Sequence, residues 1–185
     1  SFLPRIDLER YCLWDTVLSS IFLGRTAATI AEISFAGQIS LFLHRLGEVH
    51  YHPWCRVLAL SLVPAITIAQ CFCWCGVVTL NHGYHAIEES IWAIGSLLVG
   101  LEMASLVVCH PDCSPSLFYL GVVGSFACFA FFWFMVTVDG GKDAMHRRVV
   151  TKSWHVWKEE TVWLTGYFSS AVWLSLFLIH LQVPA

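Results

Sequence analysis

Apolar residues in this chain gather into five long runs, at residues 16–43, 54–80, 86–108, 117–138 and 161–181, separated by short polar breaks. A helix crossing the hydrocarbon core of a bilayer needs about 20 apolar residues, and each run is long enough. Within lipid a lone segment can satisfy its backbone polar groups only as a helix. The pattern therefore predicts an all-α fold: one integral membrane domain over residues 1–185, a bundle of about five transmembrane helices. The first run exceeds the bilayer's need and should tilt or project from it. Pro64 predicts a kink in the second. Asn81-His82-Gly83 reads as a short turn, and Pro111, Asp112, Ser114 and Pro115 break the chain before the fourth run.

Ahead of the first run, residues 1–15 mix Arg5, Asp7, Glu9 and Arg10 with apolar positions. They lack the uninterrupted apolar stretch of a signal peptide. An N-terminal amphipathic interfacial helix is expected instead, with Pro4 in its first turn.

Composition agrees with the pattern. The 185 residues are 57% hydrophobic and 12% charged, with a mean hydropathy of +0.68. Soluble domains carry about 25% charged residues, so too few charges are present to cover a water-facing surface. A net charge of −3 leaves no basic footprint for nucleic acid. The expected partners are membrane lipids and other membrane subunits. Orientation follows the basic residues. Arg5, Arg10, Lys142, Arg147, Arg148, Lys152 and Lys158 fall on the N-terminal side, called side A, while Arg45 and Arg56 fall on the opposite side B. The N-terminus is thus expected on the positive face, whether cytoplasm-, stroma- or matrix-like.

Charges inside the spans are the first functional signal, because each costs about 2.5–3.5 kcal/mol at the bilayer centre even on the lenient insertion scale. Arg25 and Glu32 lie seven apart on the first run, with Ala28, Thr29 and Ala36 on the same stripe; Glu88, Trp92, Ser96 and Glu102 share a stripe on the third. The two stripes are expected to meet inside the bundle as one charge network of Arg25, Glu32, Arg56, Glu88, Glu89 and Glu102. Arg25 should reach Glu88 or Glu89, and Arg56 should approach Glu102 near side B. Gln38 and Gln70 can add interhelical hydrogen bonds. Two uses suit such a network: fixing helix register, which is favoured here because Arg25 can neutralise the acids, or relaying protons through Glu32 and Glu102.

Nine histidines form the second signal, almost all at helix ends. His44, His110 and His180 fall near side B and are the candidate axial ligands of a haem or chlorophyll; His82 or His85 with His155 could pair on side A. Histidine at span ends also suits the interface without any cofactor. No bare metal site is expected: His50-Tyr51-His52-Pro53-Trp54-Cys55 lacks a zinc-selecting spacing.

Eight cysteines do not make a disulfide scaffold. Cys71, Cys73 and Cys75 recur at a two-residue period, which scatters them around a helix and points to packing, and Cys109 with Cys113 is the one pair placed to bridge. Phosphate-cradling, nucleophile-elbow and metalloprotease motifs are missing, so no catalytic residues are expected. The function these features suit is a non-catalytic multi-pass subunit of a larger membrane assembly, of the pigment- or haem-carrying energy-transducing kind. A small membrane oxidoreductase with bis-histidine haem, or a proton or ion transporter using the intramembrane carboxylates, are the alternatives.

Overall fold

The structure is a computed structural model that describes residues 11–12, 14, 16–17, 20–49, 53–79, 81–110, 113–137, 149–155 and 172–176. Four helices dominate: α1 (Ile21–Val49), α2 (Pro53–Thr79), α3 (His82–Cys109) and α4 (Pro115–Thr137). Each is long and apolar enough to cross a membrane, so the helical membrane bundle read from the apolar runs is the architecture found. Residues 172–176 are helical and fall within the expected fifth span, the rest of which lies outside the described residues.

Local chemistry explains where these helices begin. Asn81 does not turn the chain together with His82 and Gly83; it caps α3, its side-chain oxygen accepting the Gly83 amide at 2.9 Å. Helix α3 therefore starts four residues before the expected boundary at residue 86. Pro115 opens α4 at a position where its missing N–H costs nothing, with the Ser114 hydroxyl accepting from the Leu117 amide at 3.4 Å. Helix α1 runs six residues beyond the expected end at residue 43. Leu46 there is 1% exposed, and Arg45 meets Glu48 at 3.2 Å one turn on. At 29 residues and 1.5 Å per residue α1 is about 43 Å long, which outreaches a ~30 Å hydrocarbon core. Pro64 lies within the unbroken α2.

The N-terminal segment departs from expectation in its described part. Tyr11–Cys12 (β1) is extended, not helical, and pairs in parallel with Val149–Val150 (β2); residues 1–10 lie outside the described residues. The pairing also bears on topology. Four crossings separate β1 from β2, and only an even number returns the chain to the side from which it left.

Helix packing follows chain order: α1 on α2, α2 on α3, α3 on α4. The expected meeting of the α1 and α3 stripes is found at Arg25 and Glu88, 2.7 Å apart, although the two helices pack through α2 rather than along their length. Helix α2 lies against both helices, and α3 divides its own stripe. Glu88 and Glu102 turn to α1 and α2, while Ser96 donates to the Cys128 carbonyl of α4 at 2.8 Å and Trp92 meets Phe131 edge-on at 6.4 Å. Close approach of α3 and α4 depends on Gly121, where a Cβ would come within 2.6 Å of Val107.

The bundle interior is divided by depth. Leu43, Leu46, Leu58, Leu62, Ile66, Val99, Met103, Leu106 and Leu117 form a dry cluster in the side-B half. Of the three buried polar side chains among the described residues, Gln70 at 2% and Glu88 at 8% exposed lie in the side-A half, while Ser40 donates to the Ala59 carbonyl at 2.7 Å in the side-B half.

Candidate functional site: an intramembrane polar cluster

Three helix segments build the site. The start of α1 supplies Arg25, Thr29 and Glu32; the end of α2 supplies Gln70, Cys73 and Trp74; the start of α3 supplies His85 and Glu88. At 1.5 Å per residue, Arg25 sits about 4–5 Å inside the Phe22 end of its span and Glu88 about 7–8 Å inside the Gly83 end, while Glu32 lies about 15 Å deep, near the midplane.

Its first half is an ion pair with a histidine attached. Arg25 Nη2 donates to Glu88 Oε1 at 2.7 Å, with both side chains mostly buried. The other carboxylate oxygen, Oε2, lies 3.1 Å from His85 Nδ1, and Cys73 Sγ lies 4.0 Å from the same nitrogen. Thiol, imidazole, carboxylate and guanidinium thus form a continuous line across α2, α3 and α1. Room for the imidazole comes from Gly76: a Cβ there would approach the His85 ring to 2.7 Å.

The second half is a directed donor chain. Trp74 Nε1 donates to Thr29 Oγ1 at 3.1 Å, Thr29 donates to Gln70 Oε1 at 3.1 Å, and Gln70 Nε2 donates to Glu32 Oε2 at 2.5 Å. Every donor points toward Glu32, so each bond polarises the next and the chain ends on the acid. In a medium without water an unpaired polar group is costly, and this chain leaves none of the four unsatisfied. Arg25 Nε and Gln38 Oε1 are the two side-chain atoms among the described residues that are buried without a partner.

The remaining candidates fall elsewhere. Glu89 is half-buried beside Glu88 and outside the Arg25 contact. Glu102 receives the Cys55 thiol at 3.2 Å near side B. Arg56, expected to approach Glu102, is exposed and forms no ion pair with it; Cys55, one residue earlier, is the residue that turns inward. Glu102 and Cys55 line a small cleft with Leu46, Ser105, Leu106 and His110. His44 does not line this cleft; it is half-exposed at 48% and lies 3.8 Å from Glu48. His180 lies outside the described residues, and His155 is exposed. Cys109 and Cys113, the pair placed to bridge, are free thiols.

Cys73 and His85 were not singled out together by sequence. Their signal is the hairpin: on two consecutive antiparallel helices Gly76 and His85 stand equally far from the helix ends, Cys73 lies about one turn beyond Gly76, and His85 with Glu88 adds a one-turn repeat. Comparison with protein families, with curated proteins and with solved structures finds no match to this chain.

Proposed function

We propose that this chain is a multi-pass subunit of a larger membrane assembly, its polar cluster holding α1, α2 and α3 as one rigid unit and its outer α1 face docking a neighbouring helix. One observation carries the reading. Gly24, Ala27, Ala31 and Ser34 are all exposed and recur at helical spacing, on the side of α1 away from Arg25, Thr29, Glu32 and Leu43. Lipid-facing positions are ordinarily filled by bulky apolar residues. A stripe of small residues lets a second helix backbone approach closely, and such approach, rather than apolar burial, drives helix association in lipid.

Replacing Ala27 and Ala31 together by Leu should leave the chain folded, because both side chains point outward. In native electrophoresis the assembly should then give way to the isolated chain in its micelle. Retention of the wild-type mass, or a wild-type chain that already migrates alone, would count against the subunit reading. Orientation belongs to the same proposal: the excess of basic residues on side A supports an N-terminus on the positive side of the membrane.

The transport reading is favoured by the donor chain that converges on Glu32 and by the partnerless Gln38 Oε1 deeper along α1. Under it, Glu32→Gln should leave assembly intact yet abolish proton uptake into vesicles holding the protein; unchanged uptake eliminates it. The haem reading is weakened for the His44–His110 pair, since His44 lies outside the cleft that His110 lines.

A further inference from the structure

We propose that Cys73, His85 and Glu88 are the protein ligands of a single divalent transition-metal ion of the zinc class, held inside the side-A half of the bundle with a fourth coordination position left open. The proposal is independent of the assembly reading.

Geometry comes first. Cys73 Sγ, His85 Nδ1 and a Glu88 oxygen all lie within 4.8 Å of one another. Around a tetrahedral zinc with bonds of about 2.0–2.3 Å, neighbouring ligand atoms stand roughly 3.4–3.6 Å apart. The sulfur–nitrogen separation of 4.0 Å and the nitrogen–oxygen separation of 3.1 Å bracket that spacing, and the sulfur–oxygen separation is within 4.8 Å, so side-chain movements of about an ångström or less would seat the ion.

The ligand types choose the metal. One thiolate, one imidazole and one carboxylate suit zinc and its transition-metal neighbours and disfavour magnesium and calcium, which want oxygen alone. Three protein ligands with an open fourth position is the pattern of a reactive rather than a purely structural site.

Surrounding residues supply what a metal site needs beyond its ligands. Arg25 holds the far oxygen of Glu88 at 2.7 Å and so fixes the carboxylate's direction. Gly76 gives the imidazole a seat against α2 that any Cβ would fill. Charge also closes. With Cys73 as thiolate and Glu88 as carboxylate the ligands carry −2, which a divalent ion offsets. A neutral total is what a low-dielectric interior demands. Binding releases the thiol proton to solvent. His85, the ligand nearest the membrane face, has a side chain 27% exposed and offers the ion a way in.

The test uses the full chain purified in detergent, stripped with chelator, then dialysed against Zn²⁺ or Co²⁺. About one ion per chain should be retained, and the cobalt form should show a thiolate-to-metal charge-transfer band in the near ultraviolet. Cys73→Ser should abolish that band and weaken zinc binding by more than the roughly 10–100-fold that loss of an outer-shell partner costs; Cys71→Ser, which alters an exposed thiol two residues before Cys73, should change neither. A wild-type chain that retains no ion, a cobalt form lacking the thiolate band, or a Cys73→Ser chain that binds as the wild type does would each overturn the proposal. The first two outcomes need no variant to fold.

Discussion

Arg25→Met is expected to destabilise the bundle by about 3 kcal/mol, more than any other single substitution in the polar cluster. Removing one partner of a buried ion pair leaves the other charge uncompensated, at a cost of about 3–5 kcal/mol. One feature holds the effect near the lower bound: His85 Nδ1, 3.1 Å from the opposite carboxylate oxygen, leaves Glu88 one polar partner after Arg25 is gone. The size of the effect thus measures how far Glu88 depends on Arg25 rather than on His85. Arg25→Met combined with Glu88→Gln should recover more than half of the loss, because no buried charge remains. Unfolding of each variant in mixed micelles, followed by tryptophan fluorescence, reads both quantities at about one factor of ten in the equilibrium constant per 1.4 kcal/mol. If the double variant is as unstable as the single, Glu88 carries no stranded charge, and the ion pair is not what joins α1 to α3.

The reason this pair matters follows from how little else links those helices. Helix α1 packs on α2 and α2 on α3, and in lipid there is no apolar driving force to draw α1 toward α3. A long guanidinium side chain spans the gap that backbone packing leaves. The side-B half holds together differently, by interlocking Leu43, Leu46, Leu62, Ile66 and Met103. Two halves with different chemistry should differ in their response to the medium. The side-A half depends on charges and donors that shorten and strengthen where water is scarce; the side-B half depends on shape.

How much of this was legible in the residues depends on the physical range of each signal. Length and apolarity located four helices because those properties are summed over some 20 residues and survive local error. Helix ends were misplaced where a single side chain decides them. Asn81 looks like a turn former until its oxygen is seen on the Gly83 amide, and the polar tail of α1 looks like a loop until Leu46 is seen buried. Arg25 could be matched to Glu88 or Glu89 because a buried cation must find an acid on a neighbouring helix. Arg56 could not be placed the same way: it stands next to Cys55, and at 100° per residue only one of the two can face inward. The Cys71, Cys73 and Cys75 series misled by its regularity. A two-residue period does scatter thiols around the helix, and for that reason it put one of them, Cys73, at 1% exposure against His85 while leaving the other two exposed. Three helices converging on one point is a long-range fact that no spacing within a single helix encodes.

Gly76→Ala tests that convergence without touching any ligand or charge. Added to an ordinary helix, this methyl group should stabilise by about 0.5–1 kcal/mol, since alanine orders more cheaply than glycine. Here it would enter the space of the His85 ring at 2.7 Å from Nε2 and 2.9 Å from the two carbons beside it. An aromatic ring cannot flex away from such an overlap as a long chain can. His85 must rotate off Glu88, or α2 and α3 must separate near their shared turn. Overpacking of this kind costs about 1–3 kcal/mol, which outweighs the helix-propensity gain, so a net loss of about 1 kcal/mol is expected. The same variant should lose bound zinc or cobalt although Cys73, His85 and Glu88 are all still present, because the imidazole nitrogen no longer points between sulfur and carboxylate. Gly37→Ala supplies the control: it is the same substitution on a neighbouring helix, where an added Cβ meets nothing within 4 Å, and it should gain the propensity term and keep the metal. A Gly76→Ala chain as stable as the Gly37→Ala chain would show that the ring does not occupy the seat assigned to it, and the contact of Cys73 with His85 would lose its physical basis.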